Sequence, residues 1–211
     1  MSLRPVARLV AALVPALLLL PVAAHAETVT IEDGAGDARA YNFAGEFGTE
    51  PPARPAFLDA PAETSVDVVR TDITHARRVT VTLHFRDLVD LDQHSLDMRV
   101  FTPRARFTAL AFAGEGPGRA ILVPDRGIVQ HTRPCRTVRS RYDLAADTVT
   151  VSFPAACIDD PRWLQVAIVA TRLDVTPLGD GSVNLAGFAD DAFRAHVSER
   201  SRAKSPRIHR G

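Results

Sequence analysis

Aspartate is the residue type whose spacing in this chain most suggests chemistry. Asp33 and Asp37 bracket Gly34-Ala35-Gly36, Asp67 and Asp72 lie on the strand-like segment that follows, and Asp190-Asp191 stand near the end of the apolar part of the chain. Calcium takes six to eight hard oxygen ligands at about 2.3–2.6 Å, and glycines let backbone carbonyls join such a shell. Asp33, Asp37 and Asp72 are therefore candidate calcium ligands, and Asp67 and the 190–191 pair join them if the terminal strands are neighbours. EF-hand spacing is absent. The competing reading is turn chemistry, in which each Asp bonds the amides of its own loop.

Other chemistries find less support. Hydrolysis by an activated serine would be signalled by G-x-S-x-G, which is absent. The histidines at 25, 75, 84, 94, 131, 196 and 209 form neither H-x-x-x-H nor H-E-x-x-H, so no zinc site is written in the sequence. Gly114-Glu115-Gly116-Pro117-Gly118 lacks the Lys-Ser/Thr and the helix that a phosphate-binding loop needs, and reads as a β-turn loop. No catalytic residue is assigned, and a non-enzymatic protein is expected. Two aromatic residues are candidate ligand-stacking groups: Tyr41, in an irregular segment, and Trp163, which opens an apolar strand after Pro161 and equally suits a core.

The charge distribution bears on partners. The chain has a formal net charge of zero, yet residues 27–193 hold 17 basic against 24 acidic residues, while 194–211 hold six against one. An acidic body does not bind nucleic acid specifically. The basic tail, poor in apolar residues, is expected to be disordered and to meet anionic wall polymers at low salt.

These residues must be positioned by strands. Val79, Val81, Leu83 and Phe85 alternate with Thr80, Thr82 and His84, which predicts a half-buried strand over 79–85. Further strands are predicted over 28–31, 66–73, 96–101, 107–112, 120–123, 137–142, 149–153 and 164–171. The stretch 41–63, rich in Pro and Gly, reads as a long connection. Short strands separated by turn signals, with no helical pattern between them, predict an all-β fold: a single antiparallel β-sandwich, jelly-roll or immunoglobulin-like.

Cys135 and Cys157 have their midpoint in the turn-like 143–147 segment. A hairpin of 137–142 with 149–153 brings both to its open end, within disulfide range. The bond needs an oxidising compartment. The N-terminus supplies a route there: Arg4 and Arg8, an apolar run from Leu9 to Leu20, and Ala24-His25-Ala26 have the form of a signal peptide cleaved after Ala26. The expected organisation is a leader at 1–26, a sandwich at 27–193 and a basic tail at 194–211, secreted, with no transmembrane anchor after cleavage.

Asp33-x-x-Gly36-Asp37, Asp72-Ile73 opening a strand, the alternating 79–88 segment, and Cys135 followed by Phe153-Pro154-Ala155-Ala156-Cys157-Ile158 and Pro161-Arg162-Trp163 form an order that resembles small secreted actinobacterial proteins with a carbohydrate-binding family 9 or DOMON-like β-sandwich. The resemblance implies a non-catalytic sandwich that holds calcium or presents a ligand face. Haem binding of the DOMON type would need a Met and His axial pair; Met98 lies on a strand whose alternation places it in the core. The functional expectation is a binding module for a cell-envelope or extracellular ligand such as polysaccharide. The alternative is a protein-interaction module or inhibitor of a secreted enzyme, using the loops at 114–118 and 174–180.

Overall fold

The computed structural model describes residues 26–42, 58–89, 93–113, 119–125, 135–177, 183–198 and 201–211. The expected leader up to residue 25, the 114–118 loop and residues 178–180 of the 174–180 loop lie outside these.

Among the described residues thirteen strands run in chain order: β1 (Glu27–Glu32), β2 (Arg39–Asn42), β3 (Leu58–Asp59), β4 (Val68–His75), β5 (Arg78–Phe85), β6 (Ser95–Phe101), β7 (Arg106–Phe112), β8 (Arg119–Pro124), β9 (Arg139–Asp143), β10 (Thr148–Pro154), β11 (Trp163–Pro177), β12 (Val183–Asp191) and β13 (Ile208–His209). One sheet has the order β1-β4-β5-β10-β9, and the other follows β3-β2-β12-β11-β6-β7-β8 with β13 added to β11. Every pairing is antiparallel. The expected sandwich is therefore what the chain forms.

Strict alternation builds the core between the sheets. Val79, Val81, Leu83 and Phe85 of β5 face inward with Val149, Val151 and Phe153 of β10, and the facing sheet contributes Leu96, Met98 and Val100 of β6 and Leu164, Val166 and Ile168 of β11. Burying each such side chain contributes about 1.5–3 kcal/mol. Met98 is core, as its alternation predicts. On β4 the inward residues are Thr71, Ile73 and His75, which leaves Asp72 on the outer face.

The predicted hairpin holds, with Asp143 opposite Thr148 and Arg139 opposite Ser152. Cys135 and Cys157 are joined at its open end with Cα atoms 5.7 Å apart. This bond fits an oxidising compartment. Among the described residues no helix is long and apolar enough to cross a membrane.

Two expectations are corrected. The 41–63 connection contains the ends of a sheet: Arg39 and Ala40 of β2 pair with Asp59 and Leu58 of β3. The tail is not a free basic appendage, because residues 201–211 are packed on the body. β12 covers the edge of β11 from Val169 to Pro177, and the edge it leaves open is taken by later residues. Ala192 N–H donates to Ile168 O (3.2 Å), Ser205 N–H to Val166 O (2.8 Å), and β13 pairs with Trp163 and Leu164. Unpaired strand edges invite association with other chains, so covering this one has a clear physical use. Ser205 and Ile208 are buried, and Gly211 N–H reaches His75 O (3.3 Å) on the opposite sheet. Residues 201–211 thus form a strap along the sandwich.

Candidate metal centre

The loop of residues 33–38 leaves β1 on one sheet and enters β2 on the other. Its turn depends on Gly36, which has φ of +83°, a conformation that costs little only for glycine. A Cβ there would also stand 3.4 Å from Arg86 Nη1. The Gly36 N–H donates to Asp67 Oδ2 (2.7 Å), which ties the loop to the start of β4. From the other sheet, Asp190 Oδ2 accepts the Val68 N–H (2.8 Å). Three separate segments are thereby drawn to one end of the sandwich, and each carries an aspartate.

Asp37, Asp67 and Asp190 offer carboxylate oxygens that all lie within 4.8 Å of one another. Ligands about 2.3–2.6 Å from a shared centre stand at most about 5 Å apart, so the spacing suits a common cation. Asp33 stands near the group and repels its members electrostatically, and Asp191 repels Asp33 in turn. Asp67, Asp190 and Asp191 are fully buried. Six buried oxygens here have no hydrogen-bond partner: Asp33 Oδ2, both of Asp37, and Oδ1 of Asp67, Asp190 and Asp191. Buried acceptors are nearly always satisfied, because each costs about 1–3 kcal/mol when left bare and more when charged. Four of the six belong to the convergent Asp37, Asp67 and Asp190, and the Asp190 side chain is fully buried, so these bare acceptors point to a ligand independently of the acidity of the cluster.

Two guanidinium groups offset part of the charge. Arg86 Nε lies 3.1 Å from Asp67 Oδ2, and Arg194 Nη2 lies 2.9 Å from Asp191 Oδ2. They leave five carboxylates against two cations. Burial accordingly pushes the Asp190 carboxyl up to about 8, with Asp37, Asp33 and Asp67 adding to the rise. Burial likewise raises Asp33 to about 6, and Asp37, Asp67 and Asp191 shift in the same direction for the same cause. A site that resists holding five negative charges can take up protons or a cation. Its donors are all hard oxygens, with no thiolate or imidazole among the three convergent ligands, which suits calcium rather than zinc or copper.

Of the expected ligands, Asp37 lies in the convergent group with Asp67 and Asp190, while Asp33 stands near enough to feel Asp37 and Asp67 but outside that group. Asp72 does not join them. It projects from the outer face of β4, where Thr30 Oγ1 donates to its Oδ1 (2.7 Å) and His84 Nε2 lies 2.8 Å from its Oδ2, with Arg70 at 3.3 Å. These partners hold its carboxyl below the usual range although partial burial opposes them. Asp72 is a satisfied surface carboxylate and is withdrawn from the ligand set.

Of the aromatic candidates, Trp163 is half-buried, and the Arg207 guanidinium of the strap lies 4.5 Å above its ring. One of its faces is occupied by the protein itself. Tyr41 is placed by its backbone on β2, opposite Gly187. His75 and His94 each bond a backbone carbonyl, Ile208 O and Ser65 O. Comparison with protein-family models, curated proteins and solved structures finds no match to this chain.

Proposed function

We propose that this chain is an exported, non-enzymatic β-sandwich binding module whose loop end is organised by a bound calcium ion, with extracellular polysaccharide as its ligand class. The observation that carries the cation is the set of six buried, unpartnered aspartate oxygens. The disulfide supports an extracytoplasmic setting. The engagement of His75, His84 and His94 in structural bonds supports a binding rather than a catalytic role. The outer face of the first sheet supports a polar, hydroxyl-rich ligand, since Thr28, Thr74, Thr80 and Ser152 lie in one cross-strand row and Thr30, Asp72, Thr82 and Thr150 in the next.

The test has two stages. Thermal unfolding at neutral pH is measured in calcium and in chelator; a cation held at a hundred times its dissociation constant adds about 2.7 kcal/mol. For a domain of this size that raises the Tm by roughly 5–10 °C. An unchanged Tm across millimolar calcium overturns the cation site. Retention on insoluble polysaccharides and cell walls, in calcium but not in chelator, is expected next. Failure of retention in both buffers removes polysaccharide and leaves a protein partner.

A further inference from the structure

We propose that the strap and the outer face of the second sheet together form a docking surface for an acidic polysaccharide, one that carries carboxylates on its sugar units. The inference rests on the reading of the chain as a polysaccharide-binding module, and it names the charge class of the ligand and the face that meets it. Alternation turns Phe101 of β6, Arg106 of β7 and Gln165 of β11 to that face, because Val100, Phe107, Leu164 and Val166 are buried in the core. Register sets the three in one row, with Phe101 opposite both Arg106 and Gln165. The strap extends the row. It runs along the far edge of β11, where Gln165 Nε2 donates to Ser205 O (2.7 Å), and its long side chains reach back over the sheet. Arg202 crosses to Asp97 Oδ2 (2.6 Å), Lys204 Nζ stands 4.1 Å from the centre of the Phe101 ring, and the Arg207 guanidinium lies 4.5 Å from that of Trp163. Ala167, which alternation points the same way, is fully buried, as this crossing explains.

The Arg106 guanidinium is 5.7 Å from the centre of the same Phe101 ring, so one aromatic side chain gathers a cation from β7 and another from the strap. Cation–π attraction holds each of them, but the two like charges repel, and an anion set between them relieves that repulsion. Arg99 stands on the next row of β6, opposite Thr108 and Ala167. Among the described residues Arg99, Arg106, Lys204 and Arg207 are all exposed and make no ion pair with a carboxylate. Asp97 and Asp125, the acids beside this surface, are engaged by Arg202 and by Thr108 Oγ1 (3.4 Å). Arginine forks match carboxylates in a bidentate way, and the Phe101 and Trp163 rings with the Gln165 amide between them supply apolar and polar contact for sugar units. A nucleic acid or a bare phosphate polymer is a poorer match, because its dense charge meets a body in which residues 27–193 hold 24 acidic against 17 basic residues.

The test titrates a labelled galacturonic-acid oligomer with the disulfide-intact protein in chelator at low ionic strength, so that no cation at the aspartate cluster contributes. Binding is expected, and it is expected to weaken steeply toward physiological salt, where the Debye length falls to about 8 Å. Arg106→Gln is expected to weaken it roughly threefold, and its combination with Lys204→Gln and Arg207→Gln roughly tenfold or more. Lys204→Arg, which keeps the charge, is expected to preserve it. Arg139→Gln removes the same charge from an exposed position on β9 of the first sheet and is expected to leave binding within about 1.5-fold. An equal loss from Arg139→Gln overturns the surface, because it makes the attraction a property of overall charge. Tighter binding of a polyphosphate or a DNA oligomer than of the uronate oligomer overturns the assignment to an acidic polysaccharide. No uronate binding, beside calcium-dependent retention on a neutral polysaccharide, overturns this surface alone, whereas absence of both overturns the polysaccharide reading with it.

Discussion

At the scale of single residues, the cluster is a conflict between charge and burial that a cation or a mutation can resolve. Asp190 has no exposure and keeps Oδ2 on the Val68 N–H. Asp190→Asn preserves that acceptor and replaces the repelling oxygen by an amide donor aimed at neighbouring carboxylates. The variant is expected to be more stable than the parent in chelator, with a Tm higher by a few degrees, and to show little further gain from calcium. A lower Tm in chelator would mean that Asp190 is satisfied in a way the geometry does not show. The aspartates were legible in the sequence because Asp and Gly in that spacing have few physical uses. Asp72 misled because its place on a strand was visible and its face was not. It sits between Thr71 and Ile73, both fully buried, and alternation alone therefore sends it outward.

At the scale of elements, the strap is the part the sequence concealed. A segment with six basic residues and scattered serines has the composition of a disordered tail. Its strongly apolar residues are only Val197 and Ile208, yet Ile208 and Ser205 fill a strand edge that no other element covers among the described residues. β12 was hidden for a related reason, since Gly187 and the alanines around it give a weak alternation that only the neighbouring β11 and β2 turn into a strand. The far end of the strap carries its own titratable contact. His75 on β4 is fully buried, its Nδ1–H donates to Ile208 O (3.1 Å), and burial pushes its imidazole below the ordinary value of 6.5. Arg210 and His209 of the strap add to that fall, while the bond to Ile208 and the Glu27 carboxylate oppose it. The unfolded chain thus binds a proton that the folded chain refuses. Stability is fully present above 6.5 and is lost as pH falls through that value toward the folded pKa. Urea midpoints at pH 7 and pH 5 are expected to differ more in the parent than in His75→Asn, which keeps a donor near Nδ1 and cannot titrate. Equal differences in the two proteins would assign the acid sensitivity to other groups.

At the scale of the whole molecule, the two cross-links that the sequence suggested stand at opposite ends of the β4–β5 hairpin. Asp67 precedes β4 and meets Arg86, which follows β5, and this is the end of the aspartate cluster. The other end is the 76–77 turn, where Ala155 N–H donates to Arg77 O (2.9 Å) and the short 3-10 helix 155–158 carries Cys157. The disulfide closes a sequence separation of 22, and the loop-entropy relation gives about 3 kcal/mol for a loop of that order. Replacing both cysteines by serine is expected to lower the Tm by roughly 6–12 °C. Sites this far apart, with no shared partners, act additively. Calcium affinity of the double variant is therefore expected to stay within about twofold of the parent. A tenfold loss of affinity would show that the core between the ends transmits strain, and that the loop geometry at Asp33 to Asp37 is set by the packing of the whole sandwich rather than by its own glycine turn and its bond to Asp67.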